Sequence, residues 1–333
     1  MKFKLSILFL LLLSLNLFAF DSLLKTGTNH NLFMKLETSQ TDYRISYTKW
    51  IPEPEKFNEH VIIYNHGLQS HRGWENETFE KLRDLGFAVF AFDRIGSGTS
   101  EGELSLDHTK RLKGHIKNWE SFVETLDQVV SFARDLYPNA AIHLWANSYG
   151  AKIATAYLLQ NNNDEKIAST VFTTPGLYRN EVSMPVTWEM MRYFKKASPE
   201  RYFKSMITDK FSNGGVWFTS DKKYLKLIEN DKEKSLREMT KQFLDQTQSM
   251  DDFIAEETAK VQNSLNGHKR FYLMVRGDEM MDNKKMLAHI AKNPLGAELP
   301  KFYKGGFDHK HFLAFTEDSD IVLDDIVAFL LQD

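Results

Sequence analysis

The chain has 333 residues, with 42 basic side chains against 45 acidic ones and no cysteine. A formal charge of −3 without basic runs gives no footing for nucleic-acid binding, and the lack of cysteine excludes both a disulfide framework and a lipidated cysteine. Stability must come from a packed core, for which the chain is long enough.

The first stretch, "MKFKLSILFLLLLSLNLFAF", places two lysines before an apolar block that runs to Leu13, followed by Ser14, Asn16 and Ala19. This is the pattern of a secretory signal peptide over 1–19, and the block is shorter than the roughly 20 residues that span a bilayer. Cleavage is expected after Ala19, although Leu17 stands where a small residue is preferred, so an uncleaved membrane tether is the alternative. Loss of Lys2 and Lys4 takes the charge to −5. The expected location is periplasmic or secreted.

Strand-like runs follow at Tyr43–Trp50, Val61–Tyr64, Phe87–Phe92, Ala141–Ala146, Thr170–Thr173, Phe271–Val275 and Phe302–Tyr303. Helical periods lie between most of them: "FEKLRDLG" from Phe79, "NWESFVETLDQVVSFARDLYP" to Pro138, the stretch after Ser148 and the C-terminal "DSDIVLDDIVAFLLQ". Short buried strands alternating with helices predict an α/β fold, a mostly parallel sheet with helices on both faces. The first run alternates more strictly and could be an antiparallel edge. From Arg179 to Gly267 no clear strand is seen, and a helix-rich stretch of that length is too long for an ordinary connection. The expected organisation is a core in two parts, 20–178 and 268–333, with a helical cap inserted at 179–267.

The segment "AIHLWANSYGAKIATAYLL" reads as strand, corner and helix, with Ser148 at the corner. Ala146-Asn147-Ser148-Tyr149-Gly150 fits the small-x-Ser-x-small pattern of a nucleophile elbow, in which small flanking residues let strand and helix close up around a strained serine. Alanine replaces the usual first glycine. The backbone N–H of Tyr149, opening the helix, is placed to donate to an oxyanion. A plain N-cap serine is the alternative on these five residues alone.

A serine needs a histidine to take its proton and an acid to orient that histidine. On such a sheet the chain order is Ser, Asp or Glu, then His. "FYLMVRGDEMMD" ends a later strand at Gly277-Asp278, and "KFYKGGFDHKHF" ends another at His309. All three candidates fall at one edge of the sheet.

With these blocks in view, the chain resembles the α/β-hydrolases of the monoacylglycerol lipase and lysophospholipase group, also called serine aminopeptidase-like hydrolases, from about Leu36 onward. "YNHGLQSH" is similar to the group's His-Gly block, which implies that the N–H of Leu68 joins that of Tyr149 in the oxyanion hole. "FDRIGSGTSEG" resembles its Asp-x-Arg-Gly-His-Gly-x-Ser-x-Gly, with Ile95 and Ser97 departing. "GDEMMD" implies that Asp278 is the triad acid and Asp282 a cap or loop residue. "GGFDH" implies His309 as the base.

His311 rivals His309, because two rings two residues apart share a face if the segment is extended; the distance from the Gly-Gly turn favours His309. No ligand cluster accompanies the pair, so no metal is expected. Asp308 is read as a turn residue and His66 as a hydrogen-bonding residue under its loop. Gly96, Gly98 and Gly102 are turn glycines, since the P-loop ending and the dinucleotide spacing are both missing, and Ser97 and Ser100 then have no chemical role.

In the expected cap, Met184, Trp188 and Met191 fall at helical spacing, with Met190 and Phe194 widening the stripe; they suit either an acyl chain or packing on the core. Lys195 and Lys196 read as a solvated face, with transient contact to a lipid surface as the alternative. The resemblance implies a serine hydrolase that cleaves a fatty-acyl ester, a lysophospholipid or monoacylglycerol, through an acyl-enzyme and without a cofactor. Its partner is a small amphiphilic substrate, and no protein partner is indicated. The alternatives are an aminopeptidase or proline iminopeptidase-like enzyme, which would need acidic cap residues such as Glu181, Glu189, Asp251 or Asp252 to hold an amine, and a non-catalytic lipid-binding protein.

Overall fold

The computed structural model describes residues 27–37, 41–160, 166–181, 193–204, 217–231, 235–260, 263, 265–306 and 309–332. The expected leader, the stripe residues Met184, Trp188, Met190 and Met191, and Glu189 and Asp308 lie outside the described residues.

The chain opens with β1 (Thr28–Leu36) and β2 (Thr41–Trp50), paired antiparallel. There follow β3 (His60–Asn65), α1 (Asn76–Asp84) and β4 (Ala88–Phe92), then the two-residue strands β5 (Glu103–Leu104) and β6 (Arg111–Leu112). Next come α2 (Glu120–Leu136), β7 (Ala141–Asn147), α3 (Tyr149–Gln160) and β8 (Ser169–Thr173). After the inserted stretch with β9 (Tyr202–Lys204), α4 (Lys222–Asn230), β10 (Glu238–Thr240) and α5 (Lys241–Ala259), the core resumes with β11 (Arg270–Val275), α6 (Asn283–Lys292), β12 (Lys301–Tyr303) and α7 (Ser319–Leu330).

Eight strands form one sheet in the order β1-β2-β4-β3-β7-β8-β11-β12. From β4 to β12 every pairing is parallel, and β2 alone runs against its neighbours. The strictly alternating run is therefore one strand in from the edge, and β1 takes the edge. This is the α/β-hydrolase fold.

The strand period of two divides the core cleanly. Ile63, Phe90, Leu144, Phe172 and Met274 point to one face, where α2, α3, α5 and α6 pack; Tyr64, Val89, Trp145, Val171 and Leu273 point to the other, covered by α1 and α7. Such double coverage explains why the central strands read as continuous apolar runs. Helix α3 is buried from Tyr149 to Leu159, enclosed on the sheet side and between its neighbours.

The inserted region departs from the expected outline in two ways. It holds a short antiparallel ladder, β9 with β10, that no apolar run announced. Its last helix, α5, packs on the core through Phe243, Met250 and Ile254, and Asp251 pairs with Lys152 of α3. Parallel neighbours β8 and β11 require a crossover helix between them, and α5 supplies it. A separate apolar cluster of Trp74, Phe218, Ile228, Met280, Phe312 and Phe315 ties the insertion to loops at the carboxyl edge of the sheet. No described helix is long and apolar enough to cross a membrane.

Candidate active site

Ser148 sits between β7 and α3 with a φ of 49°, in the left-handed region that a side-chain-bearing residue seldom enters. The corner holds because its backbone is saturated: Ser148 N donates to Thr173 O, and its carbonyl accepts from both Ala151 N and Gly176 N. Close packing enforces it further. A Cβ on Gly150 would lie 2.0 Å from the Asn65 carbonyl, so only glycine lets α3 start this near β3, whereas fully buried Ala146 shows that the first small position accommodates a methyl.

The histidine beside the serine is His311. Its Nε2 is 2.8 Å from Ser148 Oγ and its Nδ1 is 2.7 Å from Asp278 Oδ2, so serine, imidazole and carboxylate form one hydrogen-bonded line. Asp278 is held from the other side, with Oδ1 accepting from Met280 N and Met281 N. Both the ring and the acid are nearly sealed, at 1% and 4% exposure.

His309, expected as the base, is exposed and donates from Nδ1 toward Lys304 O at 3.2 Å. The reason is local. Lys310 N bonds back to Gly305 O, which closes a tight loop, and His309 within it adopts a φ of 53° that turns its ring outward. The segment is not extended there, so proximity to the Gly-Gly turn misleads. His311 follows the loop and is fixed by its backbone N–H to Trp217 O, while Phe312 N donates to Phe218 O.

Next to the serine lies the loop after β3. A Cβ on Gly67 would meet Ser148 Cβ at 3.3 Å, which puts the adjoining Leu68 beside Ser148. Tyr149 is the first residue of α3, where an amide has no partner within the helix. These two amides are the pair expected to face an oxyanion.

Beneath this loop, His66 is fully buried. Its Nε2 accepts from Arg94 N, which leaves the proton on Nδ1 to donate to Gly67 O; burial, then the Arg94 charge, push its pKa well down and keep it neutral. Arg94 Nη1 donates to the carbonyls of His66 and Gly67, and Nη2 to Leu68 O and Ser97 Oγ. Asp93 is engaged elsewhere: burial alone would raise its pKa, but the Arg72 guanidinium overrides this and holds the carboxyl at about 2. Ser100 Oγ accepts from Ser46 N and donates to Asp93 O, a purely structural use. Asp282 caps α6 by accepting from Lys285 N.

Further along the loop, Asp231 of the insertion accepts from Trp74 Nε1 at 2.8 Å and pairs with His71 Nε2 at 2.9 Å. Leu236 N also donates to Gln69 O. The inserted segment thus grips the loop that carries Leu68. Behind the elbow, Glu75 lines a small cavity with Asn147, Trp145 and Thr173, and burial pushes its pKa up to about 8 against the opposing hydrogen bonds from Tyr64 and Thr78.

Sequence reasoning singled out the serine and the acid but missed Glu75 and Asp231, and His71 stood at the end of a quoted block without a role. Asp231 acts through partners distant in sequence, and nothing in the pattern around Glu75 marks it as buried. Arg94 stood inside a quoted block without a role.

Comparison with known proteins places the chain in a family. A family model described as "Serine aminopeptidase, S33" matches residues 57–307, which include Ser148 and Asp278. The "Monoglyceride lipase homolog" of Monkeypox virus is 29% identical over 111 residues, 33% of this chain and 37% of that protein. The "Probable lysophospholipase L2" of Haemophilus influenzae is 24% identical over 138 residues, 41% of each chain. The matches therefore span less than half the length of these relatives. The fold likeness is broader: monoglyceride lipase from Saccharomyces cerevisiae, solved with a substrate analog, superposes with a TM-score of 0.72 at 15% identity, covering 92% of this chain and 95% of that one.

Proposed function

Because the chain belongs to the serine aminopeptidase, S33, family of α/β-hydrolases, we propose that it is a serine hydrolase of fatty-acyl esters, acting on a monoacylglycerol or lysophospholipid through an acyl-enzyme. The observation that carries the reading is the unbroken line from Ser148 Oγ through His311 to Asp278.

In this mechanism His311 Nε2 takes the serine proton as Oγ attacks the ester carbonyl. Asp278 keeps the ring's other proton on Nδ1 and stabilises the imidazolium that forms. The amides of Leu68 and Tyr149 receive the oxyanion, and His311 returns its proton to the departing alcohol. A water, deprotonated by the same ring, then releases the fatty acid.

The names of the relatives support an ester, and so does the apolar cluster beside His311, which includes Phe218 and Phe312. The peptidase alternative needs a spare carboxylate for a substrate amine. Among the described acidic candidates, Glu181 pairs with Lys285, Asp251 with Lys152, and Asp252 accepts from Gln248. Their engagement favours the ester.

The test is release of fatty acid and amine from lysophospholipids, monoacylglycerols, short-chain esters and aminoacyl amides by the protein and by Ser148→Ala. Acyl release lost in the variant is the expected result; amine release alone would turn the reading to a peptidase. We also propose export through residues 1–19, which N-terminal sequencing of the protein recovered from outside the cytoplasm would test.

A further inference from the structure

Arg94 is a buried cation without an acid. It is 1% exposed, and among the described residues no carboxylate pairs with it, since neighbouring Asp93 is bound by Arg72. Among the described residues its Nε has no hydrogen-bond partner either. An arrangement of this kind is costly, because an uncompensated charge in the interior loses its hydration. Burial lowers the guanidinium pKa only to about 10, so the charge persists at neutral pH.

What surrounds it gives the cost a purpose. The guanidinium is solvated by three successive carbonyls of the loop after β3, those of His66, Gly67 and Leu68. The Gly67 carbonyl, 2.8 Å from Nη1, belongs to the same peptide unit as the Leu68 N–H. In a trans peptide these two groups point in opposite directions. A donor locked on the carbonyl therefore aims the N–H the other way, and it polarises the unit so that the N–H donates more strongly. The same guanidinium lies over the ring of Tyr149, 5.1 Å from its centroid, beneath the residue that supplies the second amide.

We propose that Arg94 is the positioning residue of the oxyanion hole: it fixes the Gly67–Leu68 peptide from behind and adds the field of an unneutralised positive charge where the transition state becomes negative. The inference rests on the reading of Ser148 as an ester-cleaving nucleophile. A fixed charge that needs no reorganisation when the oxyanion forms acts on kcat and leaves ground-state binding alone.

The experiment compares Arg94→Gln and Arg94→Lys with the unmodified full chain, using an ester that the latter turns over, with folding checked by near-UV circular dichroism. Arg94→Gln is expected to lose about 10- to 100-fold in kcat with KM within about twofold, and to bind a trifluoromethyl ketone analogue correspondingly less tightly. Arg94→Lys keeps a charge that titrates. Among the described residues the titratable groups facing it are neutral His66, the phenols of Tyr64 and Tyr149, and Asp93, whose charge is already taken up by Arg72, so a lysine there is desolvated with no acid of its own to hold its proton. Its kcat relative to the unmodified chain should fall as pH rises from 6 to 9 at constant fold, and this readout decides the matter alone if Arg94→Gln does not fold. Full kcat in folded Arg94→Gln, or a pH-independent ratio for Arg94→Lys, would overturn the inference. An unmodified chain silent on every ester would instead overturn the hydrolase reading, and the inference with it.

Discussion

His309 and His311 stand two residues apart, yet one ring is exposed on a tight loop and the other is buried between Ser148 and Asp278. This sets up a paired substitution. His311→Ala should reduce ester turnover by about 10⁴- to 10⁶-fold, as removal of a triad base does, whereas His309→Ala should stay within about threefold. Steady-state assays of both variants check it. Comparable losses in the two would contradict the geometry.

A second expectation concerns Asp231, whose Oδ2 meets His71, Trp74 and Ser235. Asp231→Ala removes the one oxygen on which these three groups converge and leaves buried donors unmet. A loss of about 1–3 kcal/mol in denaturant unfolding should accompany a lower kcat, because the grip on the loop bearing Leu68 is weakened. Unchanged stability would show that the insertion does not hold that loop.

Glu75 makes stability depend on pH. Its ordinary pKa is 4.5 and its folded-state value about 8, so the fold retains a proton that the unfolded chain releases in between. Its contribution is whole below about pH 4.5 and is lost as pH rises through 8, by an amount on the order of a few kcal/mol. Glu75→Gln mimics the protonated acid, keeps an acceptor for Tyr64, and should raise the melting temperature at pH 8.5 while changing little at pH 5. Thermal melts across that range would expose an equal effect at both ends, which would remove Glu75 as the cause.

Gly150→Ala should destabilise the protein by several kcal/mol or block its folding, since the new methyl would meet the Asn65 carbonyl at 2.0 Å. Ala146→Gly, which opens space at the other flank of the elbow, should cost about 1 kcal/mol. Equilibrium unfolding of the two variants measures the contrast.

Much of this was visible in the chain before folding. The seven strand-like runs all became strands of the large sheet, and the central ones, β3, β4, β7, β8 and β11, read as largely apolar because both their faces are buried. β1 escaped notice because it buries only Met34 and Leu36 and exposes Asn29, Asn31, Phe33 and Lys35 along the edge. Helix α5 lies inside the stretch 179–267 read as a cap, and it buries only Phe243, Met250, Ile254 and Thr258 among its 19 residues, a stripe too thin to show in the sequence what it packs on. The serine and its acid follow strand ends, which sequence locates well. The histidine depends on how the loop between Gly305 and Lys310 turns, and alternation says nothing about a left-handed residue at 309.

Ser148 and His311 are 163 positions apart, and their contact closes only when the last strand and the loop beyond it have docked. Contacts of such separation come late on a folding route, after local helices and neighbouring strands have formed. The nucleophile's corner can therefore be built well before anything is able to take its proton. Catalysis then reports completed folding, and a chain caught halfway carries a serine that is still only an alcohol.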